Sequence, residues 1–212
     1  MKENYALLLE ELLAKPETRG KTLVLHSCCA PCSSYVLEYL RNYFRITVFY
    51  YNPNISQTEE YQKRLAEQKR LIDIFNEAPF PIQIVEGEHD SQCFFQAVKG
   101  LEDCKEGGER CFACFELRLK RTAQLAAMLK ADYFTTTLTI SPLKNAEKIN
   151  EIGQRIAREQ KVLFLPSDFK KRDGYKRSLE LSREYSLYRQ DYCGCVFSKR
   201  EREAQRLAKS GV

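Results

Sequence analysis

Nine cysteines in 212 residues form a pattern that packing alone does not account for. Three lie in Ser27-Cys28-Cys29-Ala30-Pro31-Cys32, two in Arg110-Cys111-Phe112-Ala113-Cys114 and two in Tyr192-Cys193-Gly194-Cys195. Each group has chelating spacing. In C-x2-C entering a helix the two sulfurs turn toward one centre, and the helix N-terminus favours the thiolate form. In C-x-C an extended backbone puts both side chains on one side, and Gly194 permits the bend that converges them. Cys93 and Cys104 stand alone and read as small buried hydrophobes.

Thiolates grouped in this way bind soft metals. A structural zinc ion takes four of them in a closed tetrahedron, and an iron–sulfur cluster also takes four. Seven donors exceed either need, so the surplus points to a second metal, a substrate-facing iron or redox thiols, and to a working site rather than a structural clip. His26 and His89 are the chain's two histidines, which argues against a histidine-rich iron site. Cys29-Ala30-Pro31-Cys32 after a strand also has the form of a redox C-x-x-C. A thiol–disulfide oxidoreductase using Cys29 and Cys32, with a disulfide in the oxidised protein, is therefore one rival; a zinc-bound nucleic-acid module is another.

These cysteines must be positioned by alternating strands and helices. Lys21–His26, Arg45–Tyr51, Ile82–Val85, Asp132–Leu138 and Val162–Leu165 read as strands from their apolar and β-branched runs. Helices are expected over Ser33–Asn42, Thr58–Glu77 (closed by Pro79 and Pro81), Gln92–Lys99, Phe112–Lys130 and Ala146–Gln160, with an amphipathic surface helix within Met1–Lys15. This order predicts a Rossmann-like α/β fold: a parallel sheet with helices on both faces and ligands at the carboxyl ends of the strands. The first cysteine group falls at such an end. The expectation is a single α/β domain over 1–212, with 166–212 as its basic C-terminal extension.

Bulk properties agree with a soluble protein. Charged residues make up 30% and the apolar set 43%, and no run supplies the ~18–20 apolar residues of a spanning helix. A cytoplasmic location is expected, where thiols stay reduced. The net charge of +5 is uneven: residues 144–212 carry +7 and the remainder −2. A basic C-terminal third suits a polyanionic partner.

Several motifs in fixed order carry a family resemblance. They are His26-Ser27-Cys28-Cys29-Ala30-Pro31-Cys32; Tyr51-Asn52-Pro53-Asn54-Ile55 with Glu60, Tyr61 and Arg64; Glu109-Arg110-Cys111 with Cys114 and Leu117-Arg118-Leu119; and Thr136-Thr137-Leu138 with Ser141, Pro142 and Lys144. Asp168-Phe169-Lys170-Lys171 with Gly174, and Tyr188-Arg189-Gln190 through Cys195 to Phe197-Ser198, complete them. Over nearly its whole length the chain resembles the QueH family of epoxyqueuosine reductases, which complete queuosine at the wobble position of certain transfer RNAs. The resemblance implies a fold similar to the adenine-nucleotide α-hydrolase group. Where the ATP-using branch of that group has a glycine-rich loop this chain has cysteines, so a phosphate-cradling nest is not expected.

It further implies a 4Fe–4S cluster beside a separate mononuclear iron, shared among Cys28, Cys29, Cys32, Cys111, Cys114, Cys193 and Cys195, with an external electron donor. Cys111 and Cys114 are the pair best suited to the cluster. Epoxide removal needs protons: Asp168 and Asp191 are candidate donors, with Tyr192 and His26 behind them. Asp168 could equally ligate iron, and Asp168→Asn is expected to abolish turnover. For the substrate, the anticodon stem-loop of a transfer RNA, Lys170, Lys171, Arg172, Lys176, Arg177 and Arg189 are candidate phosphate contacts. Tyr51 or Tyr175 is the candidate stacking platform, and Asn52, Arg64 and Lys144 are motif residues assigned to substrate binding.

Overall fold

The computed structural model describes residues 3–76 and 80–210, with side chains through 208. Its framework is a five-stranded, wholly parallel sheet of order β3-β2-β1-β4-β5. The strands are β1 (Lys21–His26), β2 (Phe44–Tyr50), β3 (Gln83–Glu86), β4 (Tyr133–Thr136) and β5 (Leu163–Phe164). The helices are α1 (Tyr5–Leu13), α2 (Ala30–Leu40), α3 (Thr58–Phe75), α4 (Ser91–Ala97), α5 (Glu109–Met128), α6 (Ala146–Gln160), α7 (Gly174–Glu184) and α8 (Val196–Ser210).

Side-chain alternation along β1 builds two cores. Leu23 and Leu25 point to one face and meet Leu9, Val36, Leu37, Leu40 and Leu71 from α1, α2 and α3. Val24 points to the other and meets Leu119, Phe134, Ile149 and Ile156 from α5, β4 and α6. Burying each of these side chains contributes about 1.5–3 kcal/mol. The chain adds β2 and β3 on one side of β1 and then returns to add β4 and β5 on the other. The strand order therefore reverses between β1 and β4, and at that reversal the strand ends leave a crevice.

Most sequence expectations match these elements to within a few residues, and α6 matches at both ends. One displacement bears on function. α2 begins at Ala30, three residues before the expected start, because Pro31 sits in its first turn, where no backbone N–H is needed. Cys32 therefore lies inside the helix and Cys29 is its N-cap. Tyr51 falls just outside β2. α3 stops at Phe75, and Asn76 accepts from the Ile82 N–H at 2.8 Å; the expected closing residue Pro79 lies outside the described residues. β4 gives way after Thr136 to a 3-10 turn over Thr137–Ile140.

The segment after Pro166 contains two helices that periodicity did not reveal. α7 packs on α2 through small and apolar residues, Ser178, Leu181 and Ser182. Phe169 and Leu187 bury in the same core as Leu25. Among the described residues no helix is long and apolar enough to cross a membrane.

Candidate metal centre

The first cysteine group occupies the crevice between β1 and β4. Ser27 still donates its backbone N–H to Phe49 O as β1 ends. The chain then turns into α2, and the sulfurs of Cys28, Cys29 and Cys32 fall within 4.8 Å of one another. Neighbouring elements hold this turn. Thr137 Oγ1 accepts from the Cys28 N–H at 3.3 Å and lies 3.5 Å from its sulfur. Ser33 donates its backbone N–H to Cys29 O, and the Ser27 and Ser33 hydroxyls share Gln68 Oε1 at 2.6 and 2.9 Å. The S–H groups of Cys29 and Cys32 hold the Cys28 thiol well below its ordinary range. The same bond to Cys28 pushes Cys29 up to about 12 and Cys32 well above its usual value. Cys28 is thus the first of the three sulfurs to ionise, and a cation entering there displaces the protons that remain.

The other two groups meet beside it. Cys111 and Cys114 occupy the first turns of α5; Cys193 and Cys195 bracket Gly194 in the loop before α8. All four line one small cavity with Lys144, Arg110 and Phe115. Their sulfurs accept N–H bonds from the surrounding chain: Cys111 from Gly107 at 3.2 Å, Cys195 from Ser198 at 3.3 Å and Cys114 from Arg118 Nη1 at 3.6 Å. Such bonds suit a metal-bound thiolate. Without a metal, burial pushes the Cys111 thiol up to about 11, that of Cys114 upward, and that of Cys195 up to about 12, the last helped by Cys193.

The C-x-C loop depends on α3. Arg64, paired with Glu60 at 2.6 Å, donates from Nη1 to Cys193 O at 3.2 Å and lies over the Tyr192 ring. Gly194 has φ +117°, and a Cβ there would stand 2.8 Å from Ile55 Cγ1 and 3.1 Å from Arg64 Nη1. Glycine is required by conformation and by space.

Cys193 lines both this cavity and a cleft of about 340 Å³ that is also lined by Cys28, Cys29 and Cys32. Lys144, Tyr175, Arg189, Gln190, Asp191 and Tyr192 stand in its walls. Lys144 resists desolvation because the sulfurs of Cys193, Cys28 and Cys32 outweigh the effect of burial and raise its pKa. Burial, then Glu60, raises that of Tyr192. The Asp191 carboxylate also pairs with Arg206.

Several expected residues lie elsewhere. His26 is fully buried behind the sulfurs, and desolvation followed by the Arg118 charge lowers its pKa to about 3. It is a neutral packing element, not a proton donor. Its Nε2 accepts from Arg118 at 3.2 Å, so the proton sits on Nδ1 and donates to Thr136 Oγ1 at 2.8 Å; the approach of Nε2 to Tyr51 O is then only a contact. Tyr51 is buried and stacked on Phe49, which removes it as a base platform and leaves Tyr175 in the cleft wall. Asn52 and Arg64 are buried and committed to the protein: Asn52 donates to Ser27 O and accepts from Arg118. Asp168 pairs with Lys170 at 2.6 Å outside the cleft walls. Arg172 pairs with Glu10 and Arg177 with Glu38, so these two serve the packing of the C-terminal segment. Lys171 and Lys176 are exposed.

Arg118 was part of a motif but received no role from the sequence. Its signal was available: it stands four residues after Cys114 and seven after Cys111, on one face of α5. Thr137 and Gln68, which brace the first group, act across strands and carried no local signal.

The sulfurs, with no histidine or carboxylate grouped among them in the described residues, form a donor set suited to iron–sulfur chemistry. Comparison with known proteins gives the family and the fold. The family model described as epoxyqueuosine reductase QueH matches residues 23–201. The protein named epoxyqueuosine reductase QueH in Staphylococcus epidermidis is 42% identical over 202 residues, covering 93% of this chain and 85% of that one. Its namesake in Streptococcus pyogenes is 41% identical, covering 93% and 78%, and that of Thermotoga maritima is 36% identical, covering 90% and 98%. Among solved structures, the U34-tRNA thiolase NcsA from Methanococcus maripaludis with its [4Fe-4S] cluster superposes with a TM-score of 0.54 over 97% of this chain and 73% of its own, at 12% identity. That likeness establishes the fold.

Proposed function

The chain belongs to the epoxyqueuosine reductase QueH family, and we propose that it reduces epoxyqueuosine to queuosine in transfer RNA at the cleft where its cysteines meet. The observation that carries this reading is that seven free cysteines from three distant segments line two adjoining cavities that share Cys193, one of them a solvent-reaching cleft. The reaction breaks both C–O bonds of the epoxide; two electrons and two protons convert it to an alkene and water. A 4Fe–4S cluster and an adjacent iron on these sulfurs would supply the single electrons, drawn from an external one-electron donor, and a Lewis acid for the departing oxygen.

The protein's own residues do the rest. Cys111 and Cys114 would supply two cluster ligands, and the remaining five sulfurs would complete the cluster and hold the second iron. Cys193 stands at the junction of the two cavities and belongs to the boundary between them. Tyr192, protonated at neutral pH and in the cleft wall, is the proton donor, with Asp191 beside it. Lys144 keeps positive charge where the oxygen leaves. Tyr175 offers the base a stacking face, and Arg189, Lys171 and Lys176 contact stem phosphates. The modified base must leave its stack to enter the cleft. A dithiol exchange at Cys29 and Cys32 would leave four convergent cysteines without a part.

The test is anaerobic turnover on epoxyqueuosine-containing RNA with iron and sulfide quantified. Turnover should follow iron content and vanish on chelation. Full activity in a colourless, iron-free protein would overturn the reading.

A further inference from the structure

Three arginines are buried to within a few percent of full enclosure: Arg64, Arg110 and Arg118. Arg64 has Glu60 at 2.6 Å and Arg110 has Glu201 at 2.7 Å. Arg118 has no carboxylate within 4 Å among the described residues. Its bonds go to neutral or soft acceptors instead: Nε to His26 Nε2 at 3.2 Å, Nη2 to Asn52 Oδ1 at 2.9 Å and Nη1 to Cys114 Sγ at 3.6 Å. A guanidinium does not deprotonate in a protein, so burial cannot be relieved by losing the charge. Buried without a counter-ion it costs several kcal/mol. The groups that can turn negative near it are sulfurs: Cys114 Sγ accepts from its Nη1, and Cys193 and Cys28, one from each cavity, lie within electrostatic reach.

We infer that Arg118 is the fixed counter-charge of the metal centre: it raises the centre's reduction potential and fixes the orientation of Cys114. This inference rests on the proposed iron–sulfur reading but holds for either division of the sulfurs, since the guanidinium acts on both groups. Adding an electron beside a permanent cation is favoured, and an N–H···S bond disperses charge on the sulfur; net charge and hydrogen bonds to sulfur are the levers by which a protein sets such potentials. His26 and Asn52 are orienting partners. The neutral imidazole accepts at Nε2 and Asn52 accepts at Oδ1, and neither cancels the charge.

The experiment compares anaerobically loaded wild type with Arg118→Gln and Arg118→Lys. Iron and sulfide are counted, and midpoint potentials are read by reductive titration followed by electron paramagnetic resonance. Arg118→Gln should titrate at a more negative potential, or fail to load, while Arg118→Lys loads and stays closer to wild type. An Arg118→Gln protein that loads fully with an unchanged midpoint would overturn the inference, as would Arg118→Lys failing in the same way as Arg118→Gln. Wild type that takes up no cluster overturns the parent reading too, and shows itself before any substitution is made.

Discussion

Arg64 on α3 donates from Nη1 to the backbone carbonyl of Cys193 at 3.2 Å, 129 residues further along the chain. This bond ties the C-x-C loop to the body of the fold, and the same guanidinium is charge-paired with Glu60. Arg64→Met removes the anchor and leaves Glu60 poorly compensated. The metal-free variant should lose about 3 kcal/mol, the usual cost of breaking a buried pair, in urea denaturation. Cys193 and Cys195 should become faster to alkylate.

Gly194→Ala tests the same loop from the inside. A methyl group there meets Ile55 and Arg64, and φ +117° is unfavourable for alanine. A loss of about 1–3 kcal/mol is expected, with lower iron content per protein. An alanine variant that loads iron as fully as wild type would show that the loop has room to relax.

The cleft separates two candidate proton donors. Tyr192 lines it, whereas Asp168 is spent on Lys170 outside its walls. Tyr192→Phe should lower kcat on the order of 100-fold at unchanged iron content. Asp168→Asn should stay within a few-fold of wild type, the reverse of what the sequence motif suggested. Single-turnover rates on loaded protein decide between them.

Basic residues divide by whether they already have a carboxylate partner among the described residues; Arg189 donates only to the Ser182 hydroxyl, at 3.2 Å. Arg189→Ala and Lys176→Ala should each reduce the dependence of log K on log salt by about one unit for transfer RNA binding. Arg177 is held by Glu38 at 2.6 Å and is partly exposed. Its alanine variant should keep the salt slope and lose at most about 1 kcal/mol of stability.

Loading should depend on pH. The Cys111 and Cys195 thiols, near 11 and 12 in the metal-free protein, are protonated at neutral pH. A metal ion must displace those protons, so affinity rises as pH rises and protons are released on binding. Titration of Co²⁺ into the metal-free protein between pH 6.5 and 8.5 should show an increase of roughly tenfold per pH unit for each proton displaced. Affinity independent of pH would mean that the thiolates are already formed.

By itself the sequence determined that this chain carries three cysteine groups of chelating spacing and, through its ordered motifs, which family it belongs to. Chelating spacing is a local property. Cys111 and Cys114 are three positions apart on a helix, and Cys193 and Cys195 bracket a glycine, wherever the fold puts them. The strand and helix order was equally legible, because apolar runs and periodicity report which faces must be buried. α7 and α8 escaped notice because their apolar stripes are narrow and α7 packs through small residues such as Ser178 and Ser182.

The tertiary structure decided which polar residues of the motifs face the cleft. Asn52, Arg64 and His26 sit in motifs beside the cysteines, yet all three are buried and spend their hydrogen bonds inside the protein. It also decided that Arg118 would be a buried cation with no carboxylate within 4 Å among the described residues. Both outcomes depend on the reversal of strand order between β1 and β4, which brings α5 and the C-x-C loop to the end of β1. That arrangement is made by contacts between distant segments, such as Arg64 and Cys193, 129 residues apart, and no local window of the sequence contains both sides of such a contact.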